Sequence, residues 1–379
     1  MNKAPALAIA LLIAAFPAAA QQCPRGPIDI PSLTEQIYEA KDPNVVFRAA
    51  AIGGQALIPA LRQIAKPGKS AETVAGAAQV SLAKLGDPHA MAELDEDLHV
   101  NGNADYARYV RFDAAIDKLL LVGNEWAISI LMDFLVANRD RPLMIYSVTD
   151  APEYDERYEM IKALGDIVVN APLKGNGQYK GTLEDWVDWW TRDKAKPITL
   201  SVSSNFQDPY MQCLGRKVEW GFSMAILDLA GTGDPDVGPI VKTIAGMGYP
   251  YTGYVGSKAP YIWLRHDYVE LALAELGDAK QFEFLARHVS PYAYAPGMVQ
   301  LQIVGGKKAV QALIDSASSI NPPAYGAYTG PLLSTLAKMV EKPPLPADAA
   351  PTPENIQKWK DWWAQNEDTA RFVKMAPFE

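Results

Sequence analysis

The chain has 379 residues, with 44 Asp and Glu against 35 Lys and Arg and a formal net charge of −9. That acidic balance argues against nucleic acid and anionic lipid surfaces as partners, because both require a basic face. The length exceeds one ordinary domain and suits a repeat array, which has no central core to outgrow.

The first element is a secretory signal peptide over residues 1–20. Lys3 gives the positive start, Ala6 to Phe16 is apolar throughout, and Ala18-Ala19-Ala20 fits a small-residue cleavage site. The run is too short for a bilayer, which takes about 20 residues, and no later segment reads as transmembrane. Cys23 follows Ala20-Gln21-Gln22 rather than a lipobox of the Leu-Ala-Gly type. The expectation is therefore a soluble exported protein, periplasmic or secreted. In an oxidising compartment two cysteines often pair. Cys23 and Cys213 are thus a candidate disulfide, with two unpaired thiols as the alternative.

Beyond the signal, one phrase recurs: an apolar stretch ending in Leu-Gly-Asp. It stands at Leu85-Gly86-Asp87, Leu164-Gly165-Asp166 and Leu276-Gly277-Asp278, with a degenerate copy over Leu229 to Asp234. Leu buries the last helical turn, Gly closes it with positive φ, and Asp caps the next helix. Pro88 and Pro235 then fall where a first helical residue needs no N–H. A second phrase, Ile52-Gly53-Gly54 through Leu61, aligns without gaps on Val304-Gly305-Gly306 through Leu313, with a looser copy from Val122-Gly123. After these glycines the apolar residues fall at helical spacing (Leu57, Ala60, Leu61, Ile64; Val310, Leu313, Ile314, Ala317). A stripe of that kind is buried by stacking on its neighbours.

A third pattern divides the chain. Thr182 to Trp190 parallels Asn355 to Trp363, each with Trp at i, i+3 and i+4, and each after a Pro/Gly-rich stretch. Such a ridge suits the capping helix of a half-array. Ile198, Leu200 and Val202 alternate with polar neighbours and suggest a strand or an extended linker. The expected organisation is an array over residues 21–196, a non-helical connection over 197–215 and a second array over 216–379.

The turn glycines Gly53, Gly86, Gly123 and Gly165 lie 33, 37 and 42 residues apart, and Gly233, Gly277 and Gly305 follow at 44 and 28; these periods bracket helical-hairpin repeats, whose units run from about 33 to 47 residues. The Ala-x-Leu-Gly-Asp turn between helices resembles HEAT repeats, including the short HEAT-like kind of phycobilisome lyases. That resemblance implies an all-α fold, an α-solenoid of HEAT-like hairpins in two half-arrays, and a role in scaffolding and protein–protein interaction.

No residue set marks catalysis. His89, His99, His266 and His288 lack metal-ligand spacing, and no Gly-x-Ser-x-Gly elbow, Walker loop or dinucleotide fingerprint occurs. Neither catalytic nor metal-ligating residues are therefore expected, and no cofactor. The acidic run Glu93, Asp95, Glu96, Asp97 lacks the loop glycine of a calcium site and reads as a solvated face. His266 beside Asp267 and Tyr268 points three ways on one helix.

Tyrosine-rich segments are the candidate binding residues: Tyr251 and Tyr254, Tyr292 and Tyr294, Tyr325 and Tyr328, spaced near the repeat period. Insertions at one point of a repeat emerge on one face, and rows of Tyr suit extended peptides or sugars. The sequence thus predicts a non-enzymatic exported scaffold holding a protein segment or cell-envelope glycan. The competing expectation is a lyase or glycosidase on an (α/α) toroid. A lyase of that kind has Tyr261 or His266 as base, and a glycosidase needs two carboxylates about 5 to 9.5 Å apart.

Overall fold

The computed structural model describes residues 23–100, 106–141, 155–168, 171–172, 181–193, 199–222, 224–246, 266–287, 289, 296–318, 330–350 and 352–373. The described residues are helical and contain no β-strand; an isolated antiparallel bridge joins Val340 to Phe372. In chain order the first nine helices are α1 (Ile30–Glu39), α2 (Pro43–Gly53), α3 (Ile58–Ile64), α4 (Glu72–Lys84), α5 (Pro88–Leu98), α6 (Tyr106–Val122), α7 (Glu125–Ala137), α8 (Glu156–Ile167) and α9 (Leu183–Asp193). The rest are α10 (Pro209–Glu219), α11 (Ala225–Ala230), α12 (Val237–Gly246), α13 (His266–Glu275), α14 (Ala279–Arg287), α15 (Pro296–Val304), α16 (Gly306–Ser318), α17 (Gly330–Met339) and α18 (Pro353–Asn366).

Two compact units make up the chain, residues 1–93 and 94–379, with the division inside α5. In the first, α2 lies against α1 and α4, and α3 against α1 and α4. Ile37, Val46, Phe47, Leu57 and Leu61 form its core, each at most 1% exposed. Asp29 and Asp42 cap α1 and α2 by accepting from Ser32 N and Asn44 N. By length and composition alone the stretch Pro43–Ile64 would suffice to cross a membrane (mean hydropathy 1.3). Its apolarity has a nearer use: more than half of that window is buried, and Val46, Phe47 and Leu57 are core residues of this unit.

In the second unit the principal packed pairs join helices that are near neighbours among those described: α6 with α7 and α8, α9 with α7 and α8, and so on to α16 with α17 and α18. Among the described helices, the order of α1–α9 is retraced by α10–α18. Asp29 and Asp208 cap the first helix of each set. Leu85-Gly86-Asp87 stands between α4 and α5, and Leu276-Gly277-Asp278 between α13 and α14.

The Trp helices show the same retracing in atomic detail. In α9, Trp186 is buried and meets Trp189 edge-on at 5.6 Å and 79°; in α18, Trp359 is buried and meets Trp362 at 5.6 Å and 79°. Trp190 Nε1 donates to Asp133 Oδ1 on α7 at 2.7 Å, and Trp363 Nε1 to Gln311 Oε1 on α16 at 2.5 Å. In each case the helix receiving the indole follows a glycine turn, at Gly123 or Gly305. Each ridge thus packs against the fold with one indole N–H bonded to a neighbouring helix, while the buried Trp359 Nε1 meets no acceptor among the described residues.

Gly86 and Gly277 have φ +77° and +90° and open space where a Cβ would stand, so backbone conformation alone calls for glycine there. Four local expectations need correction. Gly165 lies buried inside α8, whose apolar face continues through Ile167, so Leu164-Gly165-Asp166 is no turn. At the first phrase the positive φ falls on Gly54 rather than Gly53, which ends α2 in a helical conformation. Pro235 precedes α12 by two residues instead of opening it, because Asp234 first accepts from Asp236 N in a turn of its own. The stretch expected to be non-helical up to residue 215 is already helical from Pro209.

What anchors that connection is Glu219. Its Oε1 accepts from Val202 N at 2.6 Å, Ser203 N at 2.7 Å and Ser203 Oγ at 2.9 Å, holding a 3-10 turn (Ser203–Asn205) on α10. The approach requires Gly215, where a Cβ would lie 2.6 Å from Ser203 Cα and 2.7 Å from Ser203 N.

Candidate functional site

An open pocket of about 460 Å³ lies between two consecutive Gly–Asp turns of the second unit. The turn before α12 brings Gly233, Asp234 and Pro235 to it. The turn between α13 and α14 brings Leu276, Gly277 and Asp278. Lys242 reaches it from α12 and Glu275 from the end of α13; one Glu275 carboxylate oxygen is shut off from solvent. Among the described lining residues three carboxylates thus accompany one lysine. Asp278 Oδ1 is engaged as the cap of α14, accepting from Gln281 N at 3.1 Å.

The same place in the first unit is bridged by two side chains. Gly53 to Ile64 and Gly233 to Ile244 match without gaps, with Pro59 at the place of Pro239, Arg62 at that of Lys242 and Gln55 at that of Pro235. Arg62 Nε donates to Asp87 Oδ2 at 2.7 Å, while Asp87 Oδ1 accepts from His89 N and Ala90 N, both at 3.1 Å. Gln55 Nε2 donates to the Leu85 carbonyl at 2.5 Å and ties the two turns together. Burial of the Asp87 side chain works to raise its pKa. The Ala90 N–H, the Arg62 guanidinium and the His89 N–H outweigh it, and hold the carboxyl below its ordinary value. In the second unit Pro235 has no donor to offer Leu276, and among the described residues no ion pair joins Lys242 to Asp278.

The tyrosines expected to bind, Tyr251, Tyr254, Tyr292, Tyr294, Tyr325 and Tyr328, lie outside the described residues, as do Tyr261, His288 and the side chain of His266. Cys23 and Cys213 are both buried and both disulfide-bonded, so neither is a free thiol. His89 and His99 are largely exposed and lie beside Glu93 and Asp95 of their own helix. Asp97 and Glu96 face Arg111, whose pKa is raised chiefly by its bond to Asp97. Among the described residues no group of three His, Cys, Asp or Glu is placed to hold a metal ion.

Arg157 is buried with its guanidinium on Asp155 and on the carbonyls of Asn138 and Arg139. It serves the C-terminal end of α7, where a cation meets free carbonyls. The pocket itself was missed by reading motifs singly. The signal for it was the ungapped match of Gly53–Ile64 to Gly233–Ile244, which places Lys242 and Pro235 against Arg62 and Gln55.

No family model matches this chain, and neither the curated proteins nor the solved structures yield a match.

Proposed function

We propose that this protein is an exported, non-enzymatic scaffold, a HEAT-like α-solenoid of two half-arrays that holds a protein segment. The observation that carries this reading is the open pocket between the Gly233 and Gly277 turns, set between successive helical hairpins. In hairpin arrays the inter-helix turns line up along one edge, and side chains presented there meet an extended partner. Neighbour-to-neighbour packing of helices and the retraced element order support the array. The tyrosine-rich segments around Tyr251, Tyr292 and Tyr325 supply further contact area on the same reading. An acidic protein of this kind suits a partner with basic side chains.

The test is capture from the native cell envelope with the mature chain as bait, followed by cross-linking to locate the contact. A defined protein cross-linked to the turns of α11–α14 is the expected result. Recovery of no protein, or of a polysaccharide that returns shortened, overturns the reading.

A further inference from the structure

We propose that the pocket between the Gly233 and Gly277 turns takes the guanidinium of an arginine side chain supplied by the bound protein segment. The inference rests on the binding reading above and names its chemistry.

The first unit shows what such a turn pair does with a guanidinium. There Arg62 reaches Asp87 Oδ2, the carboxylate oxygen left over after Oδ1 has capped α5. Gln55 Nε2 donates to the Leu85 carbonyl. The second unit keeps the acceptors and replaces the two donors, Gln55 and Arg62, by Pro235 and Lys242. Asp278 Oδ1 caps α14 as Asp87 Oδ1 caps α5, which leaves Oδ2 as the counterpart of the oxygen that Arg62 holds. Pro235 stands where Gln55 supplied an amide, so the Leu276 carbonyl receives no bond from that position. Lys242 stands where Arg62 was, and a compact ammonium cannot make the forked contact of a guanidinium. The result is an opening of about 460 Å³ where its counterpart holds an ion pair.

The electrostatics select the sign of the ligand. Among the described residues lining the opening, Asp234, Glu275 and Asp278 stand with Lys242, and the end of α14 that would attract an anion is already occupied by Asp278. A planar cation with five N–H donors can engage both a carboxylate edge and a carbonyl of one lining.

The experiment titrates the full mature protein with the acetylated, amidated pentapeptide Gly-Ala-Arg-Ala-Gly and with the same peptide carrying citrulline, which keeps the shape and loses the charge. The arginine peptide is expected to bind at least about tenfold more tightly, as befits a hydrogen bond between charged groups. Asp278→Asn retains a good capping residue, so its melting temperature should hold while arginine-peptide affinity falls by about the same factor. The double variant P235Q/K242R rebuilds the first unit's two bridges and should lose the arginine peptide without loss of stability. Equal affinity for the two peptides overturns the proposal, as does undiminished binding by P235Q/K242R or no binding by the unmodified protein. If those results came with continued capture of an envelope protein, the scaffold reading would stand and this pocket alone would fall. If the unmodified protein captured nothing from the envelope, the scaffold reading itself would fail.

Discussion

Arg62 holds Asp87 through its Nε at 2.7 Å, joining α3 to the turn between α4 and α5. Asp87 is buried and its native pKa lies below the ordinary 3.8. A depressed carboxylate contributes stability that is fully present above its unfolded pKa and disappears as the pH falls through the native one. Asp87→Asn keeps the cap and removes the charge. Its melting temperature should therefore lie below that of the parent at pH 7, with the gap closing as the pH drops below about 4. Arg62→Ala should cost about 1 to 3 kcal/mol, because half of the arginine remains in water but the Asp87 carboxylate it leaves is buried. A gap that stays constant down to pH 2 would show that Asp87 matters only as a cap.

The paired Trp helices make a second prediction. Trp186 and Trp359 are fully packed, while Trp189 and Trp362 are only half-buried. Truncating either buried ring to Ala should cost about 3 to 5 kcal/mol, and either half-buried ring clearly less. Chemical denaturation of the four variants would reveal the order. Equal losses in all four would mean that the ridge acts as a whole rather than through its inner ring.

Gly215 allows a sharper test by substitution. Any side chain at this position meets the Ser203 backbone, which cannot swing away as a side-chain tip can. Gly215→Ala should cost about 1 to 3 kcal/mol, the range for overpacking a close contact. Gly238, with nothing within 4 Å of its would-be Cβ, is the control. Gly238→Ala inside α12 should be neutral or stabilising by up to about 1 kcal/mol. Equal melting temperatures for the two variants would refute the close approach of Ser203 to α10.

Much of the helix pattern could be read from turn chemistry. Leu85-Gly86-Asp87 and Leu276-Gly277-Asp278 both close and reopen helices, because Gly at positive φ and Asp as a cap act over a few residues. The same logic failed at Gly165, where Leu164, Gly165 and Asp166 continue α8. Tertiary burial of Ala163 and Leu164 there outweighs the local preference for a turn. The start of α10 at Pro209 was legible in principle, since Asp208 followed by Pro is a helix-start signal. It was obscured by the alternating residues just before it. The pocket was beyond a reading of single motifs. It depends on Pro235 and Lys242 standing where a matching stretch has Gln55 and Arg62, and on how those four side chains lie once folded.

The short reach of the packed pairs in residues 94–379 has a consequence for folding. Helices that touch chiefly their near neighbours in the chain need few long loops closed before contacts form, so each group can assemble quickly and open separately. Amide exchange in this unit should then rise and fall in blocks of two or three helices rather than together. A ligand seated between the Gly233 and Gly277 turns would slow exchange in α11 to α14 while leaving α6 to α9 at their own rates. In such a chain, occupancy registers as a local stiffening and not as a change of overall stability.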